Sequence, residues 1–155
     1  MTLIIAVGNP ERGDDGAAAE LCRVIGRGAW SVTETMELTP EMAETVSRAN
    51  RVIIADADYR GGQPSLEAVP GVASCPALLT HSLRPGDLIA VARRLFGFNG
   101  EAWLLRIPGV DFGLGRPLST TARTNIATAA LLLGDLLSPD PERRAAPPGP
   151  TASAD

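Results

Sequence analysis

Residues Gly8 to Gly16 (Gly-Asn-Pro-Glu-Arg-Gly-Asp-Asp-Gly) follow an unbroken apolar run, Leu3-Ile4-Ile5-Ala6-Val7. They lead into a stretch of helical spacing that starts near Ala17. A short apolar run of β-branched character bounded by glycine predicts a strand buried on both faces, as in a parallel sheet covered by helices. The glycines permit positive φ and close approach of backbone. Asp14 and Asp15 therefore fall at the carboxyl end of a strand, where open α/β sheets bind their ligands.

The remaining chain repeats the alternation. From Asp15 to about Gly26 the positions Ala18, Leu21, Cys22 and Ile25 recur at helical spacing, with Asp14 or Asp15 as the cap or first-turn charge. Ser31 to about Met36 alternates like a half-buried or edge strand. Thr39-Pro40-Glu41 reads as a helix start, with Thr39 as N-cap and Met42, Ala43, Val46 and Ala49 as the apolar face. Arg51 to Asp56 is a second buried strand that ends on an acid, followed by a loop through Pro64 and a short strand from Leu66 to Val69. A helix is predicted from Pro85 to Phe96, with Leu88, Val91, Ala92 and Leu95 turned inward. A last strand runs from Glu101 to Ile107, and a final helix from Ser119 to about Leu137 carries the stripe Ala122, Ile126, Ala129, Leu133, Leu136. Strands alternating with helices predict a three-layer α/β/α sandwich on a twisted, mostly parallel five-stranded sheet. Residues 1–137 form its single domain. The segment 138–155, with five prolines and no apolar residue larger than alanine, cannot offset its ordering entropy and is expected to be a disordered tail.

Composition narrows the function classes. A net charge of −4 and a pI near 5.0 argue against nucleic acid, which requires a basic face. No apolar run reaches the roughly 18 residues of a membrane span, and the start lacks a basic leader, so a cytoplasmic protein is expected. All 14 basic residues are arginines, which excludes a Schiff base or a P-loop lysine. Cys22 and Cys75 lie far apart without a CxxC and fit free thiols, Cys22 as a helix core residue. No phosphate-loop lysine motif, G-x-G-x-x-G, H-E-x-x-H or G-x-S-x-G is present. Asp111-Phe112-Gly113 lacks the other kinase signatures.

Right-handed crossovers bring the carboxyl ends of parallel strands to one rim. Asp14-Asp15, Asp56 and His81 each follow a strand end and would meet there. Two carboxylates and an imidazole suit a divalent first-row metal. Each also has a plainer role: a helix cap for Asp14 or Asp15, an Asx turn for Asp56, a hydrogen-bonded loop residue for His81. The loops at Tyr59-Arg60-Gly61-Gly62 and Val110-Asp111-Phe112-Gly113 would lie near the same rim.

With these pieces in order, the chain resembles the hydrogenase maturation endopeptidases. Leu3 to Asn9 with Asp14-Asp15-Gly16 matches that family's opening strand, Gly-Asn turn and acidic pair. Val52 to Ala57 is similar to its apolar strand ending in Asp, and His81-Ser82-Leu83 with Asp87-Leu88 to its histidine segment. Ile107-Pro108-Gly109 and Gly115-Arg116-Pro117-Leu118-Ser119 resemble its closing strand and its approach to the last helix. The resemblance spans residues 3 to about 137. It implies removal of a C-terminal peptide from a [NiFe]-hydrogenase large-subunit precursor by a monomeric enzyme. It also implies nickel presented by that substrate, and Asp15, Asp56 and His81 as the metal-binding and catalytic residues. Whether a metal-polarised carbonyl or water, or a carboxylate acting as general base, drives hydrolysis is left open. The segment Met36 to Glu41 departs from the Asp-Gly-Gly-Thr that many members carry, which implies a differently shaped cleft wall. A non-catalytic accessory that binds an immature metalloprotein is the alternative.

Overall fold

The computed structural model describes residues 1–70 and 83–140. Strands β1 (Thr2–Val7), β2 (Trp30–Thr35), β3 (Arg51–Asp58), β4 (Ser65–Ala68) and β5 (Glu101–Pro108) form one sheet in the order β2-β1-β3-β5-β4. Only β4 runs antiparallel to its neighbour, so the sheet is mostly parallel. Helices α1 (Ala17–Ile25) and α4 (Thr120–Leu137) cover one face, and α2 (Met42–Ser47) and α3 (Pro85–Phe96) cover the other. This is the three-layer α/β fold that the alternation predicts.

Period-2 alternation sorts the strand side chains between two cores. Ile4, Ala6, Ile53, Ala55, Leu105 and Ile107 pack under α1 and α4. Leu3, Ile5, Val52, Ile54 and Ala102 pack under α2 and α3. The central strands β1 and β3 are apolar at both parities because both of their faces are covered. The edge strand β2 has only partly buried and exposed positions and no fully buried residue. In α1 the buried face includes Ala17, Ala18, Leu21 and Cys22, small enough to seat the helix close to the sheet. Cys22 is a buried thiol there, with its pKa pushed up to about 11 by burial and by the charge of Glu34.

Several expectations need correction. Strand β3 runs two residues beyond Asp56, because Ala57 and Asp58 continue the register against Ile107 and Pro108 of β5. The first helix does not begin at Asp15: Gly13–Gly16 form a 3-10 turn, and neither Asp14 nor Asp15 caps α1, whose N-cap is Gly16. Thr39 does not cap α2 through its side chain. It opens a turn by accepting the Met42 amide on its carbonyl, and the α-helix starts at Met42. Leu95 is 67% exposed, as is much of the last turn of α3, and Ile89 is buried in that core instead. Ser119 does cap α4, its hydroxyl accepting the Ala122 amide at 3.0 Å. Cys75, His81 and the tail from residue 141 lie outside the described residues.

Candidate functional site

The loop after β1 is braced from within. Gly8 has φ +136°, and a Cβ there would overlap the Asp15 carbonyl oxygen, so only glycine fits. The Gly8 amide extends the β1–β2 ladder by donating to Thr35 at 2.9 Å. The Asn9 amide then donates to Asp15 Oδ2 at 2.7 Å, while Asn9 Oδ1 accepts the Glu11 amide in an Asx turn. This turn fixes the Asp15 carboxylate at the carboxyl end of β1.

Asp14 faces the other way. It is fully buried, and it accepts from the amides of Val110 (2.7 Å), Asp111 (3.0 Å) and Ser119 (2.7 Å) and from the Ser119 hydroxyl (2.7 Å). Burial alone would raise its pKa, but the donors from Ser119, Val110 and Asp111 outweigh it and hold the carboxyl below its ordinary value. The Asp14 amide donates back to the Asp111 carbonyl at 2.8 Å, and Gly115 donates to Glu11. A Cβ at Gly13, where φ is +56°, would overlap the Asp111 carbonyl oxygen. The loops after β1 and β5 are thereby fastened together across the end of β3. The Val110–Gly113 loop is part of this fastening.

Asp56 stands opposite Val7 of β1 and Arg106 of β5 in the parallel register. It shares the α2/α3 face with Ile54 and Leu104. Its pKa is pushed up to about 6, first by burial and then by the charge of Asp15, with Asp58 adding a smaller push and the Ala57 amide opposing. The charge of Asp15 thus reaches Asp56 across the ends of the adjacent strands β1 and β3. His81, the third predicted member, lies outside the described residues. Among the described residues no group of three His, Cys, Asp or Glu side chains is arranged to hold a metal.

Two residues of the site were not foreseen. Asp58 shares Asp56's face two residues on, and it takes the Arg60 guanidinium at 3.0 to 3.1 Å. Arg106 lies beside Asp56 in register, yet it donates from NH1 to Asp58 at 3.3 Å. The D-x-D spacing at 56–58 was the available signal, because in a strand it places both acids on one face. Asp56, Asp58, Arg60, Pro85, Leu104 and Arg106 line a cavity of about 280 Å³. Leu83, where the chain is again described ahead of α3, is buried in the same core and donates to the Leu38 carbonyl at 2.8 Å.

No protein-family model and no curated protein matches the sequence. Solved structures do. The hydrogenase maturating endopeptidase HybD from E. coli superposes with a TM-score of 0.64 at 18% identity, over 85% of this chain and 88% of that one. The [NiFe] hydrogenase maturation protease HycI from Thermococcus kodakarensis gives 0.65 at 17%, over 88% and 91%. A hydrogenase 2 maturation peptidase from a Thaumarchaeota archaeon gives 0.64 at 17%, over 90% and 99%. The chain has their fold. At such identities the likeness reaches the fold alone, and the activity has to be argued from the site.

Proposed function

We propose that this chain is a maturation endopeptidase that removes a C-terminal peptide from a nickel-loaded [NiFe]-hydrogenase large-subunit precursor. The observation that carries the reading is the pair Asp15 and Asp56, which follow the ends of the adjacent strands β1 and β3 and are close enough for the Asp15 charge to raise the Asp56 pKa. The fold shared with proteins named as hydrogenase maturation proteases supports it, as does the ordered set of sequence pieces. Among the described residues no helix is long and apolar enough to cross a membrane. We take the enzyme to act as a monomer in the cytoplasm.

The chemistry follows from the donor set. Two carboxylates make a weak, open oxygen site, and His81 would add a nitrogen donor, a combination suited to a first-row ion still held by its own protein. Nickel is in this reading part of the substrate, and Asp15, Asp56 and His81 meet it there. A cation between the carboxylates displaces the proton that Asp56 otherwise keeps up to about pH 6. A substrate without the metal leaves two like charges facing each other. The site would thus discriminate loaded from empty precursor through charge alone. Asp56, its pKa pushed up to about 6, would also serve to accept a proton from water attacking the scissile carbonyl and pass that proton to the departing amine.

Incubation of the chain with nickel-loaded and nickel-free precursor, followed by mass analysis of the large subunit, tests the reading. Loss of a C-terminal fragment from the loaded form alone is expected, with cleavage abolished by Asp15→Asn and by Asp56→Asn. Cleavage that survives both substitutions would sink the site assignment. Stable binding of loaded precursor without cleavage would make the chain an accessory protein.

A further inference from the structure

A second and larger cavity, about 580 Å³, adjoins the one at Asp56 and shares Arg60, Pro85, Leu104 and Arg106 with it. It extends to Glu67 on the edge strand β4 and to Arg84 just before α3. Its volume falls within the range of about 300–1,000 Å³ typical of ligand sites. The β3–β5–β4 register explains the lining. Leu104 and Arg106 stand opposite Glu67 and Ser65 on one side and Ile54 and Asp56 on the other, so their side chains share the α3 face. The two cavities form one trough leading away from the Asp15–Asp56 pair.

Its charges are unevenly matched. Arg84 is paired with Asp87 at 3.0 Å. Asp58 is shared: Arg60 takes it through both Nε and NH2, which leaves Arg106 a single long contact at 3.3 Å. Arg106 Nε is buried and has no hydrogen-bond acceptor among the described residues, since its ion-pair partner Glu67 stands at 3.8 Å, outside hydrogen-bonding range. A buried donor without an acceptor costs on the order of 1–3 kcal/mol. A guanidinium presents a planar fork whose best partner is a carboxylate bound through two oxygens. Nε itself is shut off from solvent, but the Arg106 side chain as a whole is 28% exposed and lines both cavities, so the rest of its guanidinium can be met from the trough.

We propose that Arg106, with Arg60 and Arg84 beside it, binds a carboxylate of the substrate's peptide segment and seats that segment in the trough. The inference deepens the peptidase reading and rests on it for the identity of the peptide. The carboxylate could belong to an acidic side chain or to the peptide's C-terminus, and both offer the same chemistry to the arginine fork. Arg106 would then set specificity, while the reacting groups remain at Asp15 and Asp56.

Titration of the ¹⁵N-labelled full chain with three synthetic peptides tests this. They are acetyl-Ala-Ala-Asp-Ala-Ala-amide, its Asn counterpart, and acetyl-Ala-Ala-Ala-Ala with a free C-terminal carboxylate. At least one carboxylate peptide should bind about tenfold more tightly than the Asn peptide and shift the Arg106 Nε–H resonance. Whichever acid binds identifies the source of the carboxylate. In Arg106→Gln the preference should fall to within about twofold. Asp58→Asn frees Arg106 from its shared partner and should tighten binding of the acid. An arginine with only a structural role would instead lower Tm there and leave binding unchanged. Equal binding of acidic and neutral peptides, no binding of either acid, or an undiminished preference in Arg106→Gln overturns the proposal. With a cleavable precursor, Arg106→Gln should raise KM and leave kcat in place. If no precursor is cleaved, the peptidase reading falls, and the titration still decides the arginine site.

Discussion

Asp14 and Asp15 are adjacent in sequence and sit in opposite circumstances. Asp14 turns toward α4, where four donors meet one fully buried carboxylate and hold its pKa down. Asp15 is held by the Asn9 amide and its charge pushes up the pKa of Asp56, on the side where Asp58 is shared by two arginines and Arg106 Nε goes without a hydrogen-bond acceptor. One side of the sheet end is saturated with partners and the other is left short of them. A saturated polar cluster stabilises a fold, whereas a perturbed carboxyl and an unsatisfied donor mark where a ligand can complete the set.

The largest effect expected from this contrast is at Asp14. Asp14→Ala strands the amides of Val110, Asp111 and Ser119 in a buried site and unfastens the loops after β1 and β5. Urea unfolding should show a loss of about 3–5 kcal/mol. A loss below about 1 kcal/mol would mean that the cluster is not the clasp described here.

At Asp56 the sign reverses. Its folded pKa of about 6 lies above the ordinary 3.8, so the folded state binds the proton more tightly than the unfolded chain. The Asp56 contribution is therefore fully present below pH 4, declines as pH rises toward 6, and is gone above it. Asp56→Asn removes that decline. It should leave stability unchanged near pH 4 and raise it by about 3 kcal/mol at pH 8, while abolishing cleavage. Thermal unfolding across that range checks it, and a variant destabilised at pH 8 would break the contrast.

Ser119→Ala gives a smaller effect that sharpens the assignment of Asp14. The hydroxyl both caps α4 and donates to Asp14, so a loss of about 1–2 kcal/mol is expected. In Asp14→Ala the same substitution should cost only the cap, and a double-mutant cycle reads the difference. Full additivity would deny that the two residues act together.

Much of this arrangement could be read from the sequence because the strands are nearly pure apolar runs. Leu3 to Val7 and Val52 to Ala55 carry no competing signal, and the positions of their ends follow from parallel topology. That reasoning also brings Asp15 and Asp56 together. What escaped it depended on distant residues. The two extra residues of β3 are held by β5, and Ala57-Asp58-Tyr59-Arg60 reads locally as a loop. Asp14 looks like a cap for the helix that follows it, yet its partners lie 96 to 105 residues further along the chain. Leu95 satisfies the periodicity of α3, yet it faces solvent, because spacing along a helix does not say how far its covering core reaches. Arg106 occupies an inward position in an apolar strand and shows its role only once Asp58 and Glu67 flank it.

The contrast between the two sides reduces to how the carboxyls titrate. Side-chain carboxyl ¹³C shifts followed from pH 2 to pH 9, in the wild-type chain and in Asp15→Asn, report Asp14 and Asp56 in one experiment. The account predicts a midpoint near 6 for Asp56 that falls when Asp15 loses its charge, and a midpoint below the ordinary aspartate range for Asp14 in both chains. An Asp56 that titrates in the ordinary range and does not respond to Asp15→Asn would contradict it.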